Sequence, residues 1–264
     1  MSAWVVAGAA TVVAVVAVAV AVRLRRAVRN LQARNERSTR ALEHLQLAFG
    51  RFAPSKVVED IARRGLASNA EHREVTVLFA DLRGFTALCE DLEPEVIVGV
   101  LNGYFARMSH AIAAHNGHVS KFIGDGILAI FGALERNPWQ TDDAIRAGLA
   151  MRTEMAAYNT ELTERGLPPL GLCVGIHRGR VVSGVIGSDK LLEFTVIGRT
   201  VNLASRVEGL TRGFGVDLLV TDAAKAHASP SFVLREMPAT PVKGIAEPVR
   251  TWFVEAGDAE STAG

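Results

Sequence analysis

Two strand-length apolar runs in this chain lead to an aspartate, and that pattern constrains the fold more than any bulk property does. The first, Val75-Thr76-Val77-Leu78-Phe79-Ala80, closes on Asp81 and leads into Leu82-Arg83-Gly84-Phe85-Thr86. The second aspartate sits in Lys121-Phe122-Ile123-Gly124-Asp125-Gly126, just before Ile127-Leu128-Ala129-Ile130-Phe131. A short apolar run bounded by turn residues reads as a buried strand, and Asp-Gly between two such runs reads as a hairpin turn. Each carboxylate therefore stands at a strand tip. Two such tips on neighbouring strands can share a pair of divalent ions and hold a triphosphate. A nucleotide-processing enzyme is the first hypothesis.

The periodicities around these runs set an element order. A strand near 74–81 is followed by a helix from Pro94 to His115, with Val96, Ile97, Val100, Leu101, Tyr104, Phe105 and Met108 on its apolar stripe, and Asn116-Gly117 stops it. Strands near 118–123 and 127–131 follow. Pro138 opens a long helix to about Arg165, and Pro168-Pro169 precede a strand near 170–176. The order β-α-β-β-α-β is the ferredoxin-like arrangement, an α+β fold with helices on one face of an antiparallel sheet. In that unit the first and second strands are expected side by side, which brings Asp81 and Asp125 together. Further strands near 181–186, 192–197, 216–220, 232–236 and 249–254 and a helix near 200–210 extend the unit.

The chain does not begin as a globule. Ala3 to Val22 carries no charge and is almost all Ala and Val. At helical rise such a run spans roughly 30 Å, the thickness of a bilayer core. Arg23, Arg25, Arg26 and Arg29 follow it, so the positive-inside rule puts the amino terminus outside and the remainder in the cytoplasm of a single-pass cell-membrane protein. A cleaved signal peptide is the alternative, although no basic segment precedes the run. With so little chain ahead of the run, no extracellular sensor is expected. Next, Leu24, Val28, Leu31, Asn35, Ser38, Leu42, Leu45 and Phe49 alternate in steps of four and three, the seam of a parallel coiled coil with a polar Asn35 favouring two strands. One amphipathic helix lying on its own domain or on the membrane is the competing reading. The domains are then a transmembrane helix over 1–22, a coiled-coil helix over 23–50, a short helix and linker over 51–72, a catalytic domain over 73–256 and a disordered tail over 257–264.

Composition limits the partners. A net charge of +1 over 264 residues gives no nucleic-acid signal. Cys89 and Cys173 lie far apart and read as reduced, partly buried thiols rather than a disulfide or a metal site.

Two further segments carry chemistry. Arg83-Gly84-Phe85-Thr86 leads into a helix, and backbone N–H groups at Gly84, Phe85 and Thr86 can approach a phosphate. Glu193-Phe194-Thr195-Val196-Ile197-Gly198-Arg199-Thr200-Val201-Asn202-Leu203-Ala204-Ser205-Arg206 reads as a strand, a Gly turn and a helix. Asn202 and Arg206, four apart, share a helix face. An amide beside a guanidinium suits a ribose oxygen and a phosphate, and equally a hydrogen-bonded pair on a helix surface.

Taken together, Phe79–Thr86, Lys121–Gly126 and Thr195–Arg206 resemble the three motifs of the class III nucleotidyl cyclases, in order and over about residues 72–255. The resemblance implies that Asp81 and Asp125, with the Leu82 backbone, bind two divalent cations, Mg²⁺ or Mn²⁺. It implies that Lys121 and Thr195 read the purine, that Asn202 orients the ribose, and that Arg206 stabilises charge at the α-phosphate. Lys243, in Val242-Lys243-Gly244, and Arg180, in Gly179-Arg180-Val181, take phosphate roles. It also implies a head-to-tail homodimer with shared active sites, in which one chain supplies the metal aspartates and the other the purine, ribose and transition-state residues. The implied reaction turns ATP into 3′,5′-cyclic AMP and pyrophosphate. Lys121 donates to adenine N1, an acceptor, and is repelled by the N1–H of guanine, so the pair with Thr195 favours ATP. A guanylate cyclase, a non-catalytic nucleotide-binding dimer, and a diguanylate-synthesising or polymerase-palm protein, which shares the core and aspartates but should lack the Thr200–Arg206 segment, are the competing functions.

Overall fold

The computed structural model describes residues 70–90, 92–188 and 191–255. The expected membrane span, coiled coil, short helix and disordered tail lie outside these residues. Among the described residues no helix is long and apolar enough to cross a membrane.

Strand β1 (Glu71–Arg83) is central because its middle is apolar on both faces: Val75 through Leu78 are all buried. A strand that reads as a continuous apolar run must be covered on both sides. Helix α1 (Phe85–Glu90) follows Gly84, and α2 (Pro94–Ala114) starts at a proline already shaped for a first turn. Its buried positions, Val100, Tyr104, Met108, Ala111 and Ile112, form one stripe, and Asn116 at φ 59° ends the helical path. Strands β2 (His118–Ile123) and β3 (Gly126–Phe131) form the expected hairpin, with Gly124 at φ 63° in the turn. Helix α3 (Gln140–Glu164) packs beside α2, where Tyr158 Oη donates to the Val100 carbonyl at 2.8 Å.

Strand β4 (Gly171–Ser188) runs the whole length of β1 and continues through a hairpin into β5 (Leu191–Ile197). Helix α4 (Arg199–Phe214), β6 (Leu218–Thr221), the short α5 (Asp222–Lys225), β7 (Leu234–Glu236) and β8 (Thr251–Val254) complete the chain. The sheet order is β2-β3-β1-β4-β6-β8-β7, with β5 paired to β4. Its first four strands are the ferredoxin-like core.

Four expectations need correction. Strand β1 adjoins β3, not β2, which is an edge strand. The reason is polarity: Ile127 to Phe131 are all buried, whereas no residue of β2 is. The two strands expected near 170–176 and 181–186 are one, because β1 supports the backbone from Gly171 to Ser183 without a break. The sheet is mixed, since β4 and β6 run parallel. Helices cover both faces: α2 and α3 lie over the larger core, while Ala204 of α4 packs with Val75, Val77, Val181 and Val196 on the other side. There α4 sits directly on β4. A Cβ at Gly175 would fall 2.6 Å from Glu208 Cα and 2.7 Å from the Ala204 carbonyl oxygen, so only glycine lets the helix approach this closely.

Candidate active site

The two aspartates meet, by a route one strand longer than expected. Asp81 ends the apolar part of β1, opposite Cys173 of β4. Asp125 occupies the β2–β3 turn, and β3 carries that turn to the end of β1 through the Ala80–Ile127 pair. Burial raises the Asp125 carboxyl above the usual carboxylate range, and the Asp81 charge with its side-chain hydrogen bond raises it further. Hydrogen bonds from its own backbone N–H and that of Leu82 pull the other way. In an extended strand the N–H and C=O of one residue face the same side, so the Leu82 carbonyl also faces the turn.

Three residues that no sequence motif marked join this pair. Arg212, near the end of α4, reaches Asp81 with Nη2 2.5 Å from Oδ2, while Nη1 lies 2.9 Å from Glu208 Oε1. Burial pushes the Glu208 carboxyl up to about 7; Arg212 opposes the shift, and Asp81 and Asp125 add to it. Tyr104 of α2 is fully buried, and its hydroxyl has no hydrogen-bond partner. Burial raises the phenol well above its ordinary value, and Asp81 and Asp125 raise it further. Asp81, Asp125 and Glu208 outnumber the Arg212 guanidinium that touches them, and the neighbouring Arg83 donates to the Val216 carbonyl and to Cys173 Sγ instead. That excess, with carboxylate and carbonyl oxygens as donors, fits a hard divalent cation. Among the described residues no group of three or more His, Cys, Asp or Glu could hold a metal ion, so further ligands must be backbone, phosphate or water oxygens.

The base-reading candidates assemble separately, where β5 lies against β2. Thr195, buried in β5, is within 3.2 Å of the Ser120 hydroxyl. Lys121 Nζ donates to Glu193 Oε2 at 2.9 Å. Glu193 and Thr195 are two apart on a strand and share a face. Sequence reasoning passed over Glu193, although its alternation with Thr195 was a usable signal.

The remaining candidates gather around the front of α4. Asn202 is exposed in its first turns, and Thr200 anchors the helix start by donating to the Arg180 carbonyl at 2.7 Å. Lys243 lies in an exposed turn ending at Gly244, whose φ is 73°. A Cβ at Gly244 would stand 3.1 Å from Arg206 Nη1, so Arg206 and the Lys243 turn are neighbours. Arg180 is exposed on β4, opposite Glu74 of β1. Gly84, at φ 89°, and exposed Thr86 follow the aspartate strand directly, but the Phe85 side chain is buried in the core and only its backbone is left for a phosphate. Among the described residues no hydrogen bond or ion pair joins Asp81 or Asp125 to Lys121, Thr195, Asn202 or Arg206. The described contacts thus form three groups, the aspartates with Arg212 and Glu208, Lys121 and Thr195 with Glu193 and Ser120, and Arg206 with the Lys243 turn, and no described hydrogen bond or ion pair links them.

Comparison with known proteins places this geometry. Residues 67–256 match the family described as adenylate and guanylate cyclase catalytic domain. An adenylate cyclase of Anabaena cylindrica is 37% identical over 220 residues, covering 79% of this chain and 43% of that protein. The crystal structure of the adenylyl cyclase CyaB from P. aeruginosa superposes with a TM-score of 0.68 at 30% identity, covering 72% of this chain and 97% of that one. The guanylyl cyclase Cya2 gives a TM-score of 0.67 at 34% identity, covering 72% and 96%. The chain thus spans less than half the length of the curated relative it matches.

Proposed function

The chain belongs to the family of adenylate and guanylate cyclase catalytic domains, and from that premise we propose that it is a membrane-anchored, homodimeric adenylate cyclase making 3′,5′-cyclic AMP and pyrophosphate from ATP. The observation that carries the reading is the convergence of Asp81 and Asp125 on one spot beside the Leu82 backbone. These three groups would hold two divalent cations. When bound, the ions would neutralise the triphosphate and make the ribose 3′-hydroxyl more acidic.

The chain's own residues supply the rest. Lys121 donates to adenine N1 while Glu193 fixes the direction of its ammonium group, and Thr195 offers a hydroxyl to the base edge. Asn202 holds the ribose so that its 3′-oxygen faces the α-phosphate, a gain from positioning. Arg206 stabilises charge that develops there in the transition state. Lys243 and Arg180 bind the outgoing phosphates, with the Gly84–Thr86 backbone as a further contact. No histidine or lysine stands beside Asp81 and Asp125 in any ion pair or hydrogen bond among the described residues, so the proton leaves towards Asp81 or solvent.

Because no described contact joins the aspartates to the purine, ribose and transition-state candidates within one chain, the complete site is proposed to form between two copies arranged head to tail. Exposed apolar side chains support such an interface: Phe122 and Ile123 at the β2–β3 hairpin and Ile197 at the end of β5 are each about half exposed. The membrane span over 1–22 and the coiled coil over 23–50 would hold the two copies in register, with the catalytic domain cytoplasmic.

A guanylate cyclase is the second reading, favoured by Glu193, whose carboxylate beside Lys121 can accept from the N–H groups of guanine. Full-length protein incubated with ATP or GTP and Mn²⁺ or Mg²⁺ decides between them. Cyclic AMP as the main product supports the proposal, cyclic GTP-derived product supports the second reading, and no cyclic nucleotide under either metal ends both.

A further inference from the structure

Asp81 is engaged before any cation arrives. Its Oδ2 lies 2.5 Å from Arg212 Nη2, and the other arm of the same guanidinium lies 2.9 Å from Glu208 Oε1. Glu208 is one helical turn before Arg212 on α4, so the guanidinium is held from its own helix while it reaches across to β1. The planar fork gives each carboxylate its own nitrogen at a fixed angle, whereas a single ammonium nitrogen would have to serve both from one point. The Glu208 side chain is only 10% exposed, whereas that of Arg212 is 40% exposed. Glu208 is thus a fixed brace, and Arg212 has solvent beside it into which to move.

We propose that Arg212, braced by Glu208, is the resident counter-ion of the Asp81 carboxylate, and that a divalent cation binds there only by taking Asp81 from it. The proposal rests on the reading of Asp81 and Asp125 as the ion-binding pair. A charge-assisted hydrogen bond this short fixes the carboxylate and occupies one of its oxygens. A cation on the same carboxylate would face the guanidinium as a like charge at contact range. The two contacts are therefore antagonistic, and one yields. Release is feasible because Arg212 keeps its bond to Glu208 when it leaves Asp81, so no buried charge is stranded. Arg212 is in this sense a positioning residue that sets the ion concentration at which the site fills.

The test measures Mn²⁺ binding to full-length, nucleotide-free protein from the paramagnetic resonance of free Mn²⁺, in wild type and in Arg212→Gln, Arg212→Lys and Asp125→Asn. Arg212→Gln is expected to bind Mn²⁺ roughly three- to tenfold more tightly, the weight of a partly exposed charged contact. Its melting temperature without metal should drop, and Mn²⁺ should raise it by more than in wild type. Arg212→Lys keeps the charge but loses the fork, so it should fall in between; it carries the test if the glutamine variant does not fold. Unchanged or weaker binding in Arg212→Gln overturns the proposal. So does an Arg212→Lys indistinguishable from wild type, which would leave only a distant field. If wild type binds no Mn²⁺ that Asp125→Asn removes, the ion-pair reading falls as well; if it does and Arg212→Gln binds no tighter, the counter-ion proposal alone falls.

Discussion

Glu193→Gln is the substitution that most directly probes how the base is read. Lys121 Nζ and Glu193 Oε2 are 2.9 Å apart, with the side chains 32% and 42% exposed. Water and salt screen a pair this open, so its charge contributes on the order of 0.2–1 kcal/mol, not the several expected of a buried bridge. Glutamine keeps the length and one acceptor oxygen, and the change therefore isolates the charge. If Glu193 aims Lys121 at adenine N1, kcat/KM for ATP should fall about two- to fivefold, and mainly through KM, because the contact helps ground and transition states alike. Selectivity for ATP over GTP should fall with it. The assay is initial rates of cyclic nucleotide formation with each substrate for wild type, Glu193→Gln, Lys121→Ala and the double variant. Acting through Lys121, Glu193→Gln should have no further effect once Lys121 is gone. An equal effect in both backgrounds refutes the argument. A loss confined to GTP turnover would instead make Glu193 a direct guanine contact.

Three other outcomes are expected. Asp81→Ala and Arg206→Ala proteins should each be inactive alone, yet re-associated one to one they should regain about a quarter of wild-type activity, since half the dimers are mixed and each holds one intact site; no recovery with mixed dimers demonstrably present removes the shared-site proposal. Gly244→Ala should lower kcat roughly three- to tenfold, because the residue takes φ 73° and the new Cβ would press on Arg206 Nη1 at 3.1 Å; an unchanged kcat shows that this turn does not hold Arg206 in its working position. Burial pulls the His177 imidazole down from 6.5 to about 4, so the unfolded chain binds the extra proton between those pH values and the His177 contribution to stability falls as pH drops from 6.5 towards 4, opposite in sign to that of Glu208, whose carboxyl is raised to about 7. In denaturant unfolding, His177→Gln should gain up to about 3 kcal/mol over wild type between pH 7 and pH 4, and the difference between the two proteins should not change with pH above 7.

The fold was legible wherever an apolar pattern runs along an element, as a stripe on a helix or as a continuous run in a strand. The stripe on α2 and the apolar runs of β1 and β3 report burial directly, and they appear where the periodicity places them. What failed were inferences from local polarity. His177-Arg178-Gly179-Arg180 resembles a loop between strands, yet Thr76 and Glu74 stand opposite Arg178 and Arg180 on an uninterrupted ladder. Long-range pairing supplies the hydrogen bonds that local propensity would have surrendered. The β2–β3 hairpin shows the reverse case, a signal present and misweighted. His118, Ser120 and Lys121 in β2, against the unbroken apolar run of β3, mark which strand belongs inside. Helix α1 spans only Phe85–Glu90, too short for a 3.6-residue period to register.

Legibility of the site divides along the same line. Asp81 and Asp125 announce themselves only as a pair: each alone suits an ordinary turn, whereas two carboxylates on neighbouring strand tips repel and call for a cation. Glu193, Glu208 and Arg212 do not, because each has its meaning from a partner on another element. Glu208 and Arg212 read as one more i,i+4 pair on a solvated helix, and only the contact of α4 with β4 at Gly175 turns that pair towards Asp81. The same helix carries Arg206 beside the Lys243 turn. If Arg206 serves the partner's aspartates, as proposed, each α4 belongs to both sites of the dimer at once: its back end holds its own Asp81, and its front end completes the neighbour's chemistry. Because Arg212 leaves Asp81 by a side-chain movement while Glu208 keeps it on its own helix, that exchange leaves the α4 backbone, and Arg206 with it, in place.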